Sequence, residues 1–272
     1  MRRMKRRVLT FIAILAVVYG LMCALIYTQQ ERMVFYPEVL PPSYVFAFDQ
    51  PFEEVTLPVA GATLSALHFT IERPRGAILF FHGNAGSLRD WGTLADHWTR
   101  HGYAVLMLDY RGYGKSSGAI SSEQMLHDDA LAAYEWLAER YPPESIVVAG
   151  RSLGTGLAVR LAAQKQPRMV ILETPYVSLL SIARRQVAWA PGFLFKYPLP
   201  SERWIGQVKS PIYLIHGTRD ELIPFESSER LAALVGGERR LFPITGAGHN
   251  DFTAYPAYDQ ALAAILGPDS RR

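Results

Sequence analysis

The chain has 272 residues, of which 49% are hydrophobic, 19% charged and 12% aromatic, so it is long enough for one large domain with a buried core. This composition excludes a disordered, collagen-like or mini-protein chain. Cys23 is the single cysteine, which excludes an intramolecular disulfide framework and a cysteine-based zinc site.

The net charge of +3 is concentrated at the N-terminus. Five basic residues precede the first acidic one, and without their five charges the value of +3 becomes −2 for residues 8–272. They are Arg2, Arg3, Lys5, Arg6 and Arg7. A nearly neutral body has no phosphate-binding footprint, so we expect no nucleic-acid partner.

An uncharged apolar run, residues 8–27, follows the basic cluster. As a helix it would cross a hydrocarbon core of about 30 Å. The run exceeds the apolar part of a cleaved signal peptide, which is about 7–15 residues long, and no small-residue cleavage site ends it. We therefore expect residues 1–28 to form a cytoplasmic basic tail and a single-pass transmembrane anchor, with the remaining chain outside the cytoplasm. A cleaved signal is the alternative.

The rest of the chain divides into a stalk and a domain. Residues 29–58 contain closely spaced prolines and aromatics, which is typical of a stalk that packs on a domain. Residues 59–272 contain short apolar runs at 77–81, 104–108, 146–149, 169–172 and 212–215. Such runs indicate strands buried on both faces, and helical stretches at 90–100, 122–140 and 153–164 separate them. This alternation predicts an α/β fold with a mostly parallel sheet and helices on both faces.

An aromatic- and proline-rich insert, residues 174–209, interrupts the alternation between two predicted strands. We expect it to form a short cap over the carboxyl edge of the sheet. Trp189, Phe193 and Phe195 give it enough apolar surface to line an acyl-binding pocket or to touch a bilayer. Packing of these aromatics between cap and core is an equally open interpretation.

Ser152 lies in the motif G-R-S-L-G at residues 150–154, directly after the predicted strand 146–149 and before a helical stretch. The pattern G-x-S-x-G in this context is typical of a serine nucleophile on a tight turn. A structural glycine turn is the alternative. The motif predicts Ser152 as the nucleophile of an acyl-transfer reaction.

A serine nucleophile needs a histidine base, and the base needs an acid that fixes its orientation. Asp220 follows a predicted strand, and His249 follows a later one, residues 239–244, on a glycine-rich loop. Of the seven histidines, His249 is the one that follows both the nucleophile and Asp220 after a strand. We therefore predict His249 as the base and Asp220 as the acid. Glu221 and Glu173 are rival acids, the latter because it also follows a strand directly.

Two backbone N–H groups are expected to stabilise the developing oxyanion. Leu153 follows the nucleophile and supplies the first. Asn84 lies in the loop H-G-N-A-G after the predicted strand 77–81 and supplies the second, with Ala85 as the alternative donor.

Other motifs favour structural roles. His82 and His216 each follow a strand and precede a glycine, which indicates turns. The sequence G-K-S at residues 114–116 ends like a phosphate-binding loop, but Asp109 stands where that motif needs its first glycine, so no nucleotide is expected. His97 and His101 lie four residues apart on a predicted helix, but the glutamate of a zinc-protease motif is missing between them. No metal is therefore expected.

Four motifs together resemble the α/β-hydrolase superfamily and are similar to its membrane-anchored branch of ABHD13 and Bem46-like proteins. They are residues 82–84 (HGN), 109–114 (DYRGYG), 150–154 (GRSLG) and 248–249 (GH), and the resemblance covers most of residues 30–265. It implies an eight-stranded, mostly parallel sheet, a triad of Ser152, Asp220 and His249, and no cofactor. It also implies hydrolysis of esters, thioesters or amides, with a small-molecule or lipid acyl substrate. A peptidase or amidase of the same fold and a catalytically silent, membrane-tethered binding protein are the alternatives.

Overall fold

The computed structural model describes residues 2–267. Within them the strands are β1 (Tyr36–Pro37), β2 (Phe52–Val59), β3 (Ala62–Phe69), β4 (Ala77–Phe81), β5 (Ala85–Gly86), β6 (Ala104–Leu108), β7 (Ile146–Arg151), β8 (Met169–Glu173), β9 (Ile212–Gly217) and β10 (Arg239–Ile244). The α-helices are α1 (Arg2–Val34), α2 (Leu88–Trp91), α3 (Ala95–Thr99), α4 (Glu123–Ala138), α5 (Leu153–Lys165), α6 (Leu179–Gln186), α7 (Ser201–Trp204), α8 (Glu226–Leu234) and α9 (Pro256–Leu266).

Eight strands form one sheet in the order β10-β9-β8-β7-β4-β6-β3-β2. The six strands from β10 to β6 run parallel, and β3 and β2 add an antiparallel edge. β1 and β5 form a separate short parallel pair. The predicted α/β-hydrolase fold with a mostly parallel eight-stranded sheet is confirmed. The carboxyl ends of its parallel strands meet at one edge, where ligands bind in such sheets.

The sheet is buried on both faces, as the continuous apolar runs predict. Along β4, Leu79 and Phe81 pack on the side covered by α4 and α5, whereas Ile78 and Phe80 pack on the side covered by α3 and α9. Each face therefore has its own hydrophobic core, and the strands between them form a rigid platform for the loops at the carboxyl edge.

The predicted apolar runs correspond to β4, β6, β7, β8 and β9, and residues 239–244 are β10. β2 is different, because buried and exposed side chains alternate along it at the edge of the sheet. Such a strand has no continuous apolar run to identify it. It begins at Phe52, within the segment expected to be a stalk.

α1 is one continuous helix of 33 residues. It extends past the apolar run, which ends at residue 27, and stops at Val34, shortly before Pro37. Backbone next to a proline disfavours helix, and residues 36–37 pair as β1 with β5 instead. The length and apolar composition of α1 suffice to cross a membrane, and N-terminal signal sequences share this property.

Candidate active site

Ser152 lies between β7 and α5 in a strained backbone conformation, with φ 51° and ψ −116°. The turn is so tight that a Cβ on Gly154 would lie 2.1 Å from the carbonyl oxygen of Phe81, and one on Gly150 would lie 2.4 Å from that of Gly154. Residues without side chains are therefore required at both positions. Strain of this kind is concentrated at functional sites, where the surrounding structure enforces it.

Ser152, His249 and Asp220 are brought into one hydrogen-bonded chain. The Nε2 atom of His249 lies 3.1 Å from Oγ of Ser152, and its Nδ1 atom lies 2.7 Å from Oδ2 of Asp220. The three side chains come from the ends of β7 and β9 and the loop after β10. In this geometry the imidazole can accept the serine proton while the carboxylate fixes its orientation.

Asp220 is held in a closed loop after β9. Its Oδ1 atom accepts the N–H groups of Leu222 at 2.9 Å and Ile223 at 2.8 Å. Burial raises the pKa of Asp220, but hydrogen bonds from His216, His249 and Ile223, together with the charge of His249, outweigh it. The net result is a pKa well below the usual range, so the carboxylate stays ionised and can stabilise an imidazolium.

His216 is a supporting residue of the site that the sequence interpretation treated as a turn residue. It lies in β9 and is fully buried. Its Nε2 atom is 2.9 Å from the carbonyl oxygen of Ile223 and 3.2 Å from Oδ2 of Asp220, and its Nδ1 atom is 2.6 Å from Oγ of Ser228. The sequence signal that could have found His216 is its position near the end of β9, four residues before Asp220.

The two rival acids are placed elsewhere. Glu173, the last residue of β8, is fully buried and accepts a hydrogen bond of 2.7 Å from the hydroxyl of Tyr258. Burial raises its pKa against the opposing effects of Arg151 and Tyr258. Glu221 is exposed to solvent. The contact with His249 is made by Asp220.

The two expected oxyanion donors both border Ser152. Leu153 is the first residue of α5, so its N–H group has no carbonyl one turn back within the helix. The carbonyl of Asn84 accepts the N–H of Tyr36 at 2.9 Å and the hydroxyl of Tyr113 at 2.7 Å. These bonds hold the Asn84–Ala85 peptide, and Asn84 lines the same cavity as Ser152. Ala85, the alternative donor, lies opposite Tyr36 in the short β1–β5 pair.

A cavity of about 360 Å³ opens at Ser152 and lies between the cap and α1. Its walls are mainly apolar. The lining includes Asn84, Ser152 and Leu153, cap residues Tyr176, Leu179, Ile182, Ala183, Gln186, Val187, Phe195 and Tyr197, residues Leu222 and Ile223 after β9, and Ile26, Gln30, Met33, Val34 and Tyr36. A cavity of this size and composition suits an apolar small molecule or acyl chain.

The three cap aromatics expected to bind substrate are separated. Phe195 lines the cavity. Phe193 is 85% exposed and Trp189 is 40% exposed, and neither belongs to the cavity wall. The ring of Trp189 instead contacts that of Tyr19 on α1, with centroids 5.9 Å apart.

The loop after β6 has a structural role. Asp109 is fully buried, and its Oδ1 atom accepts the N–H of Leu88 at 3.0 Å. The hydroxyl of Tyr110 donates to the carbonyl of His82 at 2.7 Å, which braces the loop that carries Asn84. Within residues 2–267, no group of three or more His, Cys, Asp or Glu side chains could hold a metal ion.

Comparisons with known proteins agree with this architecture. The alpha/beta hydrolase fold family matches residues 76–204. The uncharacterized protein Rv2307c of Mycobacterium tuberculosis is 35% identical over 90% of this chain and 89% of its own length. The chain belongs to the α/β-hydrolase superfamily.

Further relatives extend this similarity. Alpha/beta hydrolase domain-containing protein 17C of Xenopus tropicalis is 38% identical over 71% of this chain and 62% of its own length. The human protein of that name is 37% identical over 71% of this chain and 58% of its own length. The esterase Pf2001 of Pyrococcus furiosus superimposes with a TM-score of 0.65 at 23% identity, covering 85% of this chain and 98% of that one. At this identity the esterase shows a shared fold.

Proposed function

We propose that the protein is a membrane-anchored serine hydrolase that cleaves carboxylic esters or thioesters of apolar acyl groups. The observation that carries the proposal is the Ser152–His249–Asp220 chain of hydrogen bonds at the end of an apolar cavity. The esterase Pf2001, which has the same fold, agrees with the reaction class. The substrate is a small-molecule or lipid acyl compound.

In the first half of the reaction, His249 takes the proton of Ser152 as its Oγ atom bonds to the acyl carbon. The carbonyl oxygen becomes an oxyanion, which the N–H groups of Asn84 and Leu153 stabilise. The tetrahedral intermediate then collapses, the bond to the leaving group breaks, and His249 donates its proton to the departing oxygen or sulfur. The product is an acyl-enzyme on Ser152.

In the second half, water attacks the acyl carbon and passes a proton to His249. A second oxyanion forms in the same site. Its collapse breaks the bond to Ser152, which recovers its proton from His249, and the carboxylic acid leaves. Asp220 stabilises the imidazolium in both halves and keeps Nδ1 protonated.

The proposed organisation has three parts. Residues 1–28 form a cytoplasmic basic tail and the membrane anchor, residues 29–58 connect it to the domain, and residues 59–272 form most of the catalytic domain outside the cytoplasm. The basic cluster followed by a long apolar helix supports the anchor and its orientation. Together with the four motifs, this anchor also supports membership in the ABHD13 and Bem46-like branch.

Fluorophosphonate labelling of the full chain in lipid nanodiscs tests the nucleophile without assuming a substrate. We expect the wild-type protein to be labelled, and Ser152→Ala and His249→Ala to lose labelling. Ser121→Ala, which changes an exposed serine, is the matched control and should label normally. Absence of labelling on folded wild-type protein would reject the hydrolase proposal and favour a binding protein.

The acyl pocket is tested by chain length. Because Phe195 lines the cavity, Phe195→Ser should lower kcat/KM for long-chain p-nitrophenyl esters more than for the acetate. A loss of roughly tenfold corresponds to about 1.4 kcal/mol of apolar contact. Equal losses for both esters would reject an acyl-binding role for this residue.

A further inference from the structure

The cap is attached to the last turns of α1 by a buried amide. Gln30 is 4% exposed. Its Nε2 atom donates to the carbonyl of Leu194 at 2.7 Å, and its Oε1 atom accepts the N–H of Lys196 at 2.8 Å. The ammonium of Lys196 also pairs with Glu31 at 3.0 Å. The helix and the cap therefore form one packed unit.

A second contact lies deeper along the helix. The hydroxyl of Tyr19 is 3.4 Å from the carbonyl oxygen of Trp189, and their rings are in edge contact. Tyr19 lies within the uncharged run of residues 8–27, about 12 Å along the axis from the end of that run. Trp189 therefore lies beside the apolar run of α1, at a level that a bilayer around this run would occupy.

The segment that carries Trp189 has the composition of a membrane-inserting loop. Residues 187–195, V-A-W-A-P-G-F-L-F, contain no charge and are here called the cap lip. Phe193 in the lip is 85% exposed. Basic residues flank it, Arg184 and Arg185 before and Lys196 after. An uncharged aromatic segment with cationic side chains at its ends fits a loop whose ends lie near the head groups and whose middle enters the acyl region.

The cavity at Ser152 runs along the same side of α1. Ile26, Gln30, Met33 and Val34 are spaced so that they share one face of the helix, and all four line the cavity. Val34 lies at the active-site end, where its carbonyl accepts the side-chain amide of Asn84. Ile26 is about 12 Å further along the axis and belongs to the uncharged run. The cavity thus extends from the nucleophile to the part of α1 expected inside the bilayer.

We propose that the cap lip inserts into the bilayer beside α1, and that the acyl pocket opens between them into the hydrocarbon phase. An acyl chain that resides in the membrane then reaches Ser152 laterally, with its ester carbonyl near the head-group level. The bilayer covers the apolar surface of the cap lip, because this surface is continuous with that of α1. The inference rests on the proposed anchor and acyl-hydrolase function.

Insertion is measured with the full chain in phosphatidylcholine nanodiscs, in a Cys23→Ser background. An environment-sensitive nitrobenzoxadiazole label is placed at Phe193→Cys and, as the control, at Leu234→Cys on α8. Leu234 is also an exposed apolar residue, at 47%. We expect the label at 193 to emit at shorter wavelength and to be quenched by doxyl lipids, unlike the label at 234. Equal emission and quenching at both sites would overturn the proposal.

Lateral entry is measured with Ala188→Asp, which places a charge on an exposed residue of the lip. We expect kcat/KM for a long-chain ester embedded in vesicles to fall about tenfold or more, because a carboxylate opposes insertion. Hydrolysis of water-soluble p-nitrophenyl acetate should not change, and Ala188→Ser should behave like wild type. Unchanged activity on the embedded ester would overturn lateral entry.

The two proposals fail differently. If the protein were not a hydrolase, fluorophosphonate labelling and acetate turnover would be absent, while the label at 193 would still report insertion. If the lip did not insert, fluorophosphonate labelling and acetate turnover would remain. The nitrobenzoxadiazole labels at 193 and 234 would then behave alike.

Discussion

Two buried carboxylates lie at the carboxyl ends of neighbouring strands, Glu173 as the last residue of β8 and Asp220 in the loop after β9. Their hydrogen bonds differ. Asp220 contacts His249, whereas Glu173 contacts Tyr258. We expect Asp220→Asn to lower kcat for a p-nitrophenyl ester by about 10⁴-fold, because an amide does not hold the imidazole in the required tautomer. Glu173→Gln still accepts the tyrosine hydroxyl and should keep most of the activity. A comparable loss in both variants would contradict this assignment of the acid.

Glu173 also predicts a pH dependence of stability. Its folded-state pKa is raised by burial, above an unfolded value of about 4.3. The folded protein therefore retains a proton that the unfolded chain has released. The stabilisation is complete below the unfolded pKa and is lost as the pH rises through the folded pKa. Glu173→Gln removes this titration, so the variant should gain stability relative to wild type on going from about pH 5 to about pH 8.

Urea unfolding of the wild-type protein and of Glu173→Gln, each at about pH 5 and about pH 8, measures this effect. Tyr258, the hydrogen-bond partner of Glu173, is unchanged in both proteins. A difference in free energy of unfolding that does not change with pH would show that Glu173 has the same pKa in the folded and unfolded states.

At the level of residues, chain order selected Ser152, Asp220 and His249, and the structure brings these three side chains together. The sequence favoured Asp220 over its rivals Glu173 and Glu221, but it could not show which carboxylate reaches His249, because that contact depends on side-chain direction. It also missed the contact of His216 with the acid. That contact depends on how the loop after β9 folds back onto its own strand.

At the level of elements, the turn between β7 and α5 sets the position of Ser152, the proposed nucleophile. A Cβ at Gly154 would meet the carbonyl of Phe81, which is backbone and cannot rotate away. We expect Gly154→Ala to destabilise the protein by about 1–3 kcal/mol, as overpacking does, and to displace Ser152 from His249. Urea unfolding and fluorophosphonate labelling measure the two effects.

Gly236→Ala is the matched control for this turn, because a Cβ there has open space around it. It should change the free energy of unfolding by less than about 0.5 kcal/mol and leave labelling intact. Equal effects of the two substitutions would show that the close approach at Gly154 does not constrain the turn.

The elements that sequence predicted best are those with a simple burial pattern. β4 and β6 to β9 are buried on both faces and read as continuous apolar runs. β2 at the sheet edge alternates instead. The last turns of α1, which follow the apolar run, were expected to be part of a stalk. In these turns Gln30 bonds to Leu194 and Lys196 of the cap, and such long-range contacts are not visible in a local sequence pattern.

At the scale of the whole molecule, one helix connects the basic tail to the cavity at Ser152. α1 begins at Arg2 and ends at Val34, next to Asn84. The basic tail and the candidate active site therefore lie at opposite ends of a helix about 50 Å long. If α1 spans a bilayer, the positive charges mark the cytoplasmic side, and the active site lies close to the other surface.

This arrangement predicts the topology of the chain in a membrane. In a Cys23→Ser background, Leu234→Cys on the domain should react with a membrane-impermeant maleimide in intact spheroplasts. Met4→Cys in the basic tail should react only after permeabilisation, because Lys and Arg next to a span are retained in the cytoplasm. Both sites are exposed in the folded chain, at 47% and 67%, so a difference in labelling reports sidedness. The reverse pattern would place the catalytic domain in the cytoplasm, and reaction of both sites in intact spheroplasts would show that α1 does not span the membrane.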